Sequence, residues 1–168
     1  MKPMSAGETS EATAAEPSPA HVIVQGKASG FLQEVTVGPY HLRVDEPLSV
    51  GGNNAAPDPY DYLLAALGAC TSMTVGLYAR KKKWPLEDVT VKLRHSRIHA
   101  KDCADCETKE GMLDHLALEI ALEGALTDEQ RATLMQVAQK CPVHRTLTSE
   151  IAIQMRMAPA PPPVPPTN

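Results

Sequence analysis

Residues 59–80, PYDYLLAALGACTSMTVGLYAR, decide the fold. From Tyr62 to Ala79 the stretch carries no charge. Leu63, Leu67, Cys70, Thr74 and Leu77 recur at helical spacing, with Ala66 and Met73 beside them. The other side is small or apolar too (Ala65, Ala69, Val75), so a helix here has almost no polar face. Such a helix is expected to be buried rather than laid on a surface. Pro59 suits its first turn, Asp61 places a carboxylate at the positive end of its dipole, and Arg80 to Lys83 place cations at the negative end. Its length is near that of the shortest membrane spans, but Gly, Ser, Thr and Cys dilute its hydrophobicity, so the expectation is a central helix and no membrane.

Working outward, three short alternating runs precede it: 21–26, 31–37 and 40–44, with Gly30 and Gly38-Pro39 as turn signals. They read as an antiparallel meander, followed by a loop from Asp45 to Pro57. After the helix, residues 89–99 alternate Val89, Val91, Leu93 against Thr90, Lys92, Arg94, a strand with one buried face. Residues 113–122 alternate Leu116, Leu118, Ile120, Leu122 against Ala117, Glu119, Ala121 and read as its antiparallel partner. Residues 127–140 form a helix capped by Thr127, with Glu129 or Gln130 near the capping-box position and Leu134, Val137 and Ala138 inside. Residues 143–149 read as a short helix and 151–157 (IAIQMRM) as a last strand. The class is α+β, with antiparallel sheets around a long helix. So small a sheet cannot cover a helix apolar all round, and a second copy of the chain, an intimate homodimer, is expected to cover the rest.

The ordered domain is expected at 20–157. Residues 1–19, rich in Ala, Ser, Glu and Pro, read as a disordered tail, and so does the proline-rich 158–168. The start lacks the apolar run of a signal peptide, and four cysteines without one indicate a reducing, cytoplasmic setting. A net charge of −4 and a pI near 5.8 give no reason to expect nucleic acid as a partner.

Two cysteines are tied to helices. Cys70 lies within the apolar helix, where a small core role and a reactive role both fit. Cys141 precedes Pro142, which places it at a helix N-terminus where backbone N–H groups favour a thiolate. His144 and Arg145 follow one turn on. The stretch APDPYDYLLAALGACTSMTVGLYARKKKWPLEDVTVKLRH, with the later CPVHRTL, resembles the osmotically induced protein C and organic hydroperoxide resistance superfamily over about residues 22–156. The resemblance implies two intertwined chains with paired central helices, and a cysteine-dependent peroxidase for organic hydroperoxides at the dimer interface. It matches Cys70 to the family's peroxidatic cysteine and Cys141 to its resolving cysteine, with an external thiol as reductant. The sequence departs from the pattern at the activating pair. Ten residues before Cys70 stands Tyr60 rather than glutamate, and no arginine precedes Arg43. Asp61, Arg43 or His144 are the candidates to take those places.

Cys103-x-x-Cys106, with His99 upstream and His95 and His115 near, has some features of a zinc site but lacks a complete fourfold ligand set. A redox dithiol and a plain polar loop are the other readings. Asp102, Asp105 and Glu107 oppose thiolate charge there. A metal- or small-molecule-binding stress protein on the same fold is accordingly the alternative to a peroxidase.

Overall fold

The structure, a computed structural model, describes residues 21–104 and 106–159. The N-terminal tail lies outside the described residues, as does the C-terminal one from residue 160. The chain divides into two compact units, 1–59 and 60–168.

The described part of the first unit is the expected meander: β1 (Val22–Gly26), β2 (Gln33–Val37) and β3 (Tyr40–Val44), antiparallel in that order. Val37 pairs with Tyr40 across a two-residue turn in which Gly38 takes φ +56°. Glycine is needed there because a side chain would crowd the left-handed backbone. The loop that follows is organised by Asp45, which is buried. Its carboxylate accepts from the backbone N–H groups of Glu46, Asn53 and Ala55 at 2.9, 3.1 and 3.0 Å. The Ala55 N–H is foremost in holding this carboxyl below its ordinary range, against the opposing effect of burial.

The second unit begins with helix α1 (Pro59–Lys82). The helix stops where Lys83 turns to φ +56°, two residues before Pro85, with Lys83 and Trp84 N–H groups closing onto the Arg80 and Ala79 carbonyls. Strands β4 (Leu86–His99) and β5 (Met112–Gly124) form one long antiparallel hairpin. The alternation of Leu116, Leu118, Ile120 and Leu122 does place them on one half-buried face. Helix α2 (Asp128–Ala138) carries the full capping box: Thr127 accepts from the Gln130 N–H, and the Gln130 side chain accepts from the Thr127 N–H. Helix α3 spans Pro142–Leu147. The core joins Val75 and Ala79 of α1 to Leu134 and Ala138 of α2, over Leu86, Val89, Ile120 and Leu122 of the hairpin.

Two details are corrected. Helix α1 is a buried core helix, but its inward stripe is not the one read from the sequence. It is long and apolar enough to cross a membrane by length and composition, but one stripe of it (Leu67, Gly68, Thr71, Val75, Ala79) is packed in the core of this unit. The stripe read from the sequence was displaced: Leu77 is 47 % exposed and Met73 71 %. Gly68 lies on the inward stripe because the Leu93 side chain presses on the helix there; a Cβ on Gly68 would lie 2.7 Å from Leu93 Cδ1. The second correction concerns residues 151–157, which form no strand. A strand exists only against a partner, and within the described chain this segment pairs with none, leaving Ile153 79 % and Met155 94 % exposed.

Candidate active site

Cys141 is fully buried and caps α3. The cause is local: Pro142 has the φ a first helical turn requires and no N–H to satisfy, so the residue before it is extended and turns its side chain onto the next free N–H groups. The His144 N–H donates to Cys141 Sγ at 3.2 Å. From α1, the buried Thr71 hydroxyl donates to the same sulfur at 3.5 Å. The Cys70 thiol also hydrogen-bonds to it, so the two helix-borne cysteines are neighbours. Both are free thiols, Cys70 half-buried and Cys141 buried.

Burial pushes the Cys141 thiol up, but the Thr71 hydroxyl, the His144 N–H, the Cys70 thiol and the Val143 N–H together outweigh it and hold the thiol below its ordinary 9.0. A depressed acid contributes stability that is complete above pH 9.0 and is lost as pH falls through the lowered folded value. Thr71→Val keeps the side-chain shape and removes one donor. The thiolate absorbance of Cys141, followed against pH in a Cys70→Ser background that leaves it the one free thiol outside the 103–106 pair, is expected to shift to higher pH. An unmoved midpoint would show that Thr71 does not support the anion.

Two cavities are lined by residues that hold Cys141, though by neither cysteine itself. One of about 170 Å³ is lined by Thr71, Ile120, Met135, Ala138 and Gln139, and one of about 450 Å³ by Tyr60, Leu63, Leu67, Asp114, Leu116 and Leu147; Leu118 and His144 border both. Tyr60, the residue ten before Cys70, stacks on His95 with ring centres 4.1 Å apart and planes 6° apart. His95 Nε2 lies 2.9 Å from Asp114 Oδ1. The pairing was legible only once β4 and β5 were in register, since the sequence shows His95 as one of an alternating run. A hollow of about 460 Å³ in the first unit, between Gln25 and Glu34, holds no cysteine.

Of the three activating candidates, His144 is at the site, contributing its backbone N–H to Cys141 and lining both cavities. Asp61 is exposed in the first turn of α1. Arg43 is on β3, with Nε 3.4 Å from Glu34 of β2. Thr71, adjacent in sequence to Cys70, was missed; a hydroxyl inside an otherwise apolar helix was the available signal.

Cys103 and Cys106 are joined as a disulfide. Disulfide sulfurs are not thiolate ligands, His99 is exposed at the strand end, and among the described residues no three His, Cys, Asp or Glu side chains are grouped to hold a metal. The residues as placed do not fit zinc.

The model of the family described as OsmC-like protein matches residues 51–156. Several solved structures are similar to the chain. An organic hydroperoxide resistance protein OsmC from Legionella pneumophila, described also as a predicted redox protein, is 23 % identical with a TM-score of 0.57, the match covering 81 % of this chain and 92 % of that one. An organic hydroperoxide resistance protein from Elizabethkingia anophelis is 19 % identical with a TM-score of 0.59, covering 80 % and 91 %. The organic hydroperoxide resistance protein OhrB of Bacillus subtilis is 18 % identical with a TM-score of 0.54, covering 78 % and 91 %. These likenesses establish the α+β fold. No curated protein matches the chain.

Proposed function

The chain belongs to the OsmC-like protein family, and from that premise we propose that it reduces organic hydroperoxides through Cys70 and Cys141. The observation that carries the reading is the shared hydrogen bonding of the two thiols at the start of α3. Cys141 has the donors of a stabilised anion but no exposed surface; Cys70 is accessible and lies beside it. The division of labour follows. Cys141 takes the proton of Cys70, and the Cys70 thiolate attacks the outer oxygen of the hydroperoxide. The O–O bond breaks, Cys70 becomes a sulfenic acid, and the departing alkoxide takes the proton back as alcohol. The Cys141 thiolate then attacks the Cys70 sulfur, forming the disulfide and releasing hydroxide, which is protonated to water. Two external thiols return the pair to its reduced state. The leucines of the larger cavity suit a hydrocarbon substituent on the peroxide.

The chain is further proposed to act as an intertwined homodimer in a cytoplasm that supplies the reductant. The support is apolar surface left uncovered: Met73 and Leu77 along α1, and Ile151, Ile153, Met155 and Met157 in the extended C-terminal segment.

Treating reduced protein with a bulky organic hydroperoxide and mapping cysteines by mass spectrometry tests the chemistry. The expected product is a Cys70–Cys141 disulfide with one equivalent of alcohol. Unmodified thiols after the hydroperoxide has been in excess would overturn the reading.

A further inference from the structure

We infer that the Cys103–Cys106 disulfide is a second redox site, a thiol–disulfide exchange couple on the β4–β5 loop that reacts with an external dithiol or its disulfide, independently of Cys70 and Cys141.

The disulfide holds nothing that is not already held. It closes between residues three apart in sequence. A link that short removes little freedom from the unfolded chain. The loop is pinned below it by other means: the Ala100 N–H donates to the Gly111 carbonyl at 2.9 Å, the Cys103 N–H donates to the Ala100 carbonyl at 3.2 Å, and His99 pairs with Met112 at the end of the hairpin. Both cysteines are half-buried on a polar loop, outside the core. Opening the bond therefore costs the fold little, which suits a group that cycles.

The pair is also separate from the other two cysteines. Helix α1 crosses the hairpin with Gly68 against Leu93, and its N-terminal Tyr60 stacks on His95. The helix thus runs away from the hairpin tip as it approaches Cys70. From Leu93 to His99 the strand advances about 20 Å at ~3.3 Å per residue, and Cys103 lies beyond. Exchange requires one sulfur to touch another, so no electron pair passes between the two cysteine pairs within a chain.

The flanking charges set the direction of use. Asp102, Asp105 and Glu107 adjoin the cysteines in sequence and outnumber Lys101, the one cation within two residues of either. These carboxylates oppose the thiolates of the reduced form, which places the couple on the reducing side and calls for a dithiol, rather than a single thiol, to open it. In the exchange, one thiolate of the external dithiol attacks a disulfide sulfur and displaces the other cysteine as thiolate. The second external thiol then attacks the mixed disulfide. The external partner leaves as a disulfide, and Cys103 and Cys106 retain its two electrons and two protons. Run in reverse, the reduced pair reduces an external disulfide.

The test uses the full chain with Cys70→Ser and Cys141→Ser, so only this pair remains and the result does not depend on the peroxidase reading. Protein oxidised with diamide is treated with dithiothreitol under native conditions and then with N-ethylmaleimide. The expected result is two adducts, at Cys103 and Cys106, with Tm lowered by less than about 5 °C. With Cys106→Ser added and oxidised glutathione in place of the dithiol, the Cys103 thiolate should displace one glutathione and be trapped as a mixed disulfide with the other. No Cys103–Cys106 disulfide after oxidation, a disulfide that opens only on unfolding, or a larger fall in Tm would each overturn the inference. The same peptides mapped in the unsubstituted chain guard against a misfolded variant.

Discussion

Cys70→Ser is expected to lower hydroperoxide turnover by at least ~10³-fold while leaving the fold intact. A serine hydroxyl is scarcely ionised near neutral pH and lacks the polarisable sulfur that accepts a peroxide oxygen. Cys70 is half-buried and nearly isosteric with serine, so the loss should be chemical rather than structural. Cys141→Ser separates the two steps. It removes the resolving thiol and the neighbour that takes the proton, so the first oxidation is slowed and stops at one equivalent, with a sulfenic acid on Cys70 that a dimedone label can capture. The opposite pattern, near-normal turnover without Cys70 and none without Cys141, would mean that the buried cysteine is the nucleophile and that a path to it opens in solution.

Met73→Asp is expected to split the proposed dimer. In one chain Met73 is 71 % exposed, and an aspartate there would ordinarily change stability by no more than about 0.5 kcal/mol. If a second α1 covers the stripe of Ala65, Ala69, Met73 and Leu77, the same aspartate becomes an unpaired charge at a sealed apolar contact. Such a charge costs several kcal/mol, enough to shift association by ~10²-fold or more. Sedimentation equilibrium of the variant and the unsubstituted chain reads the difference directly. Equal masses for both, with equal thermal stability, would leave α1 facing solvent and remove the reason for proposing a partner copy.

The contrast between these helix faces explains what the sequence could reveal. The β4–β5 hairpin was legible because Lys92, Arg94, Glu119 and their neighbours alternate with leucine and isoleucine, and charge marks the outer face. Pro142 fixed the start of α3, and with it the position of Cys141, because a ring-locked φ leaves little choice. Thr127 and Gln130 fixed α2 in the same local way. Helix α1 had no such marker. With no charge from Tyr62 to Ala79, its hydrophobicity has no phase, and only the close approach of Gly68 to Leu93 decides which side turns inward. Residues 151–157 carry a clean strand pattern, but a pattern supplies only half of a ladder. The site was visible as two cysteines and not as a cluster: the Thr71 hydroxyl, the Tyr60–His95 stack and the Cys103–Cys106 bond depend on distances that no spacing in the sequence encodes.

The sulfur of Cys141 belongs to two systems at once. It is the acceptor that satisfies the His144 N–H at the start of α3, and it is one of the two thiols whose oxidation is proposed. A charged sulfur is a strong acceptor, whereas a sulfur engaged in a disulfide is a weak one. On the proposed chemistry each oxidation would weaken one cap of a six-residue helix whose first turn is otherwise held by the Arg145 N–H on the Cys141 carbonyl and the Thr146 hydroxyl on that of Pro142. The chemical history of the cysteine pair would then be written into the backbone as the firmness of α3. A surface that read the order of that one helix turn would register peroxide without ever touching sulfur.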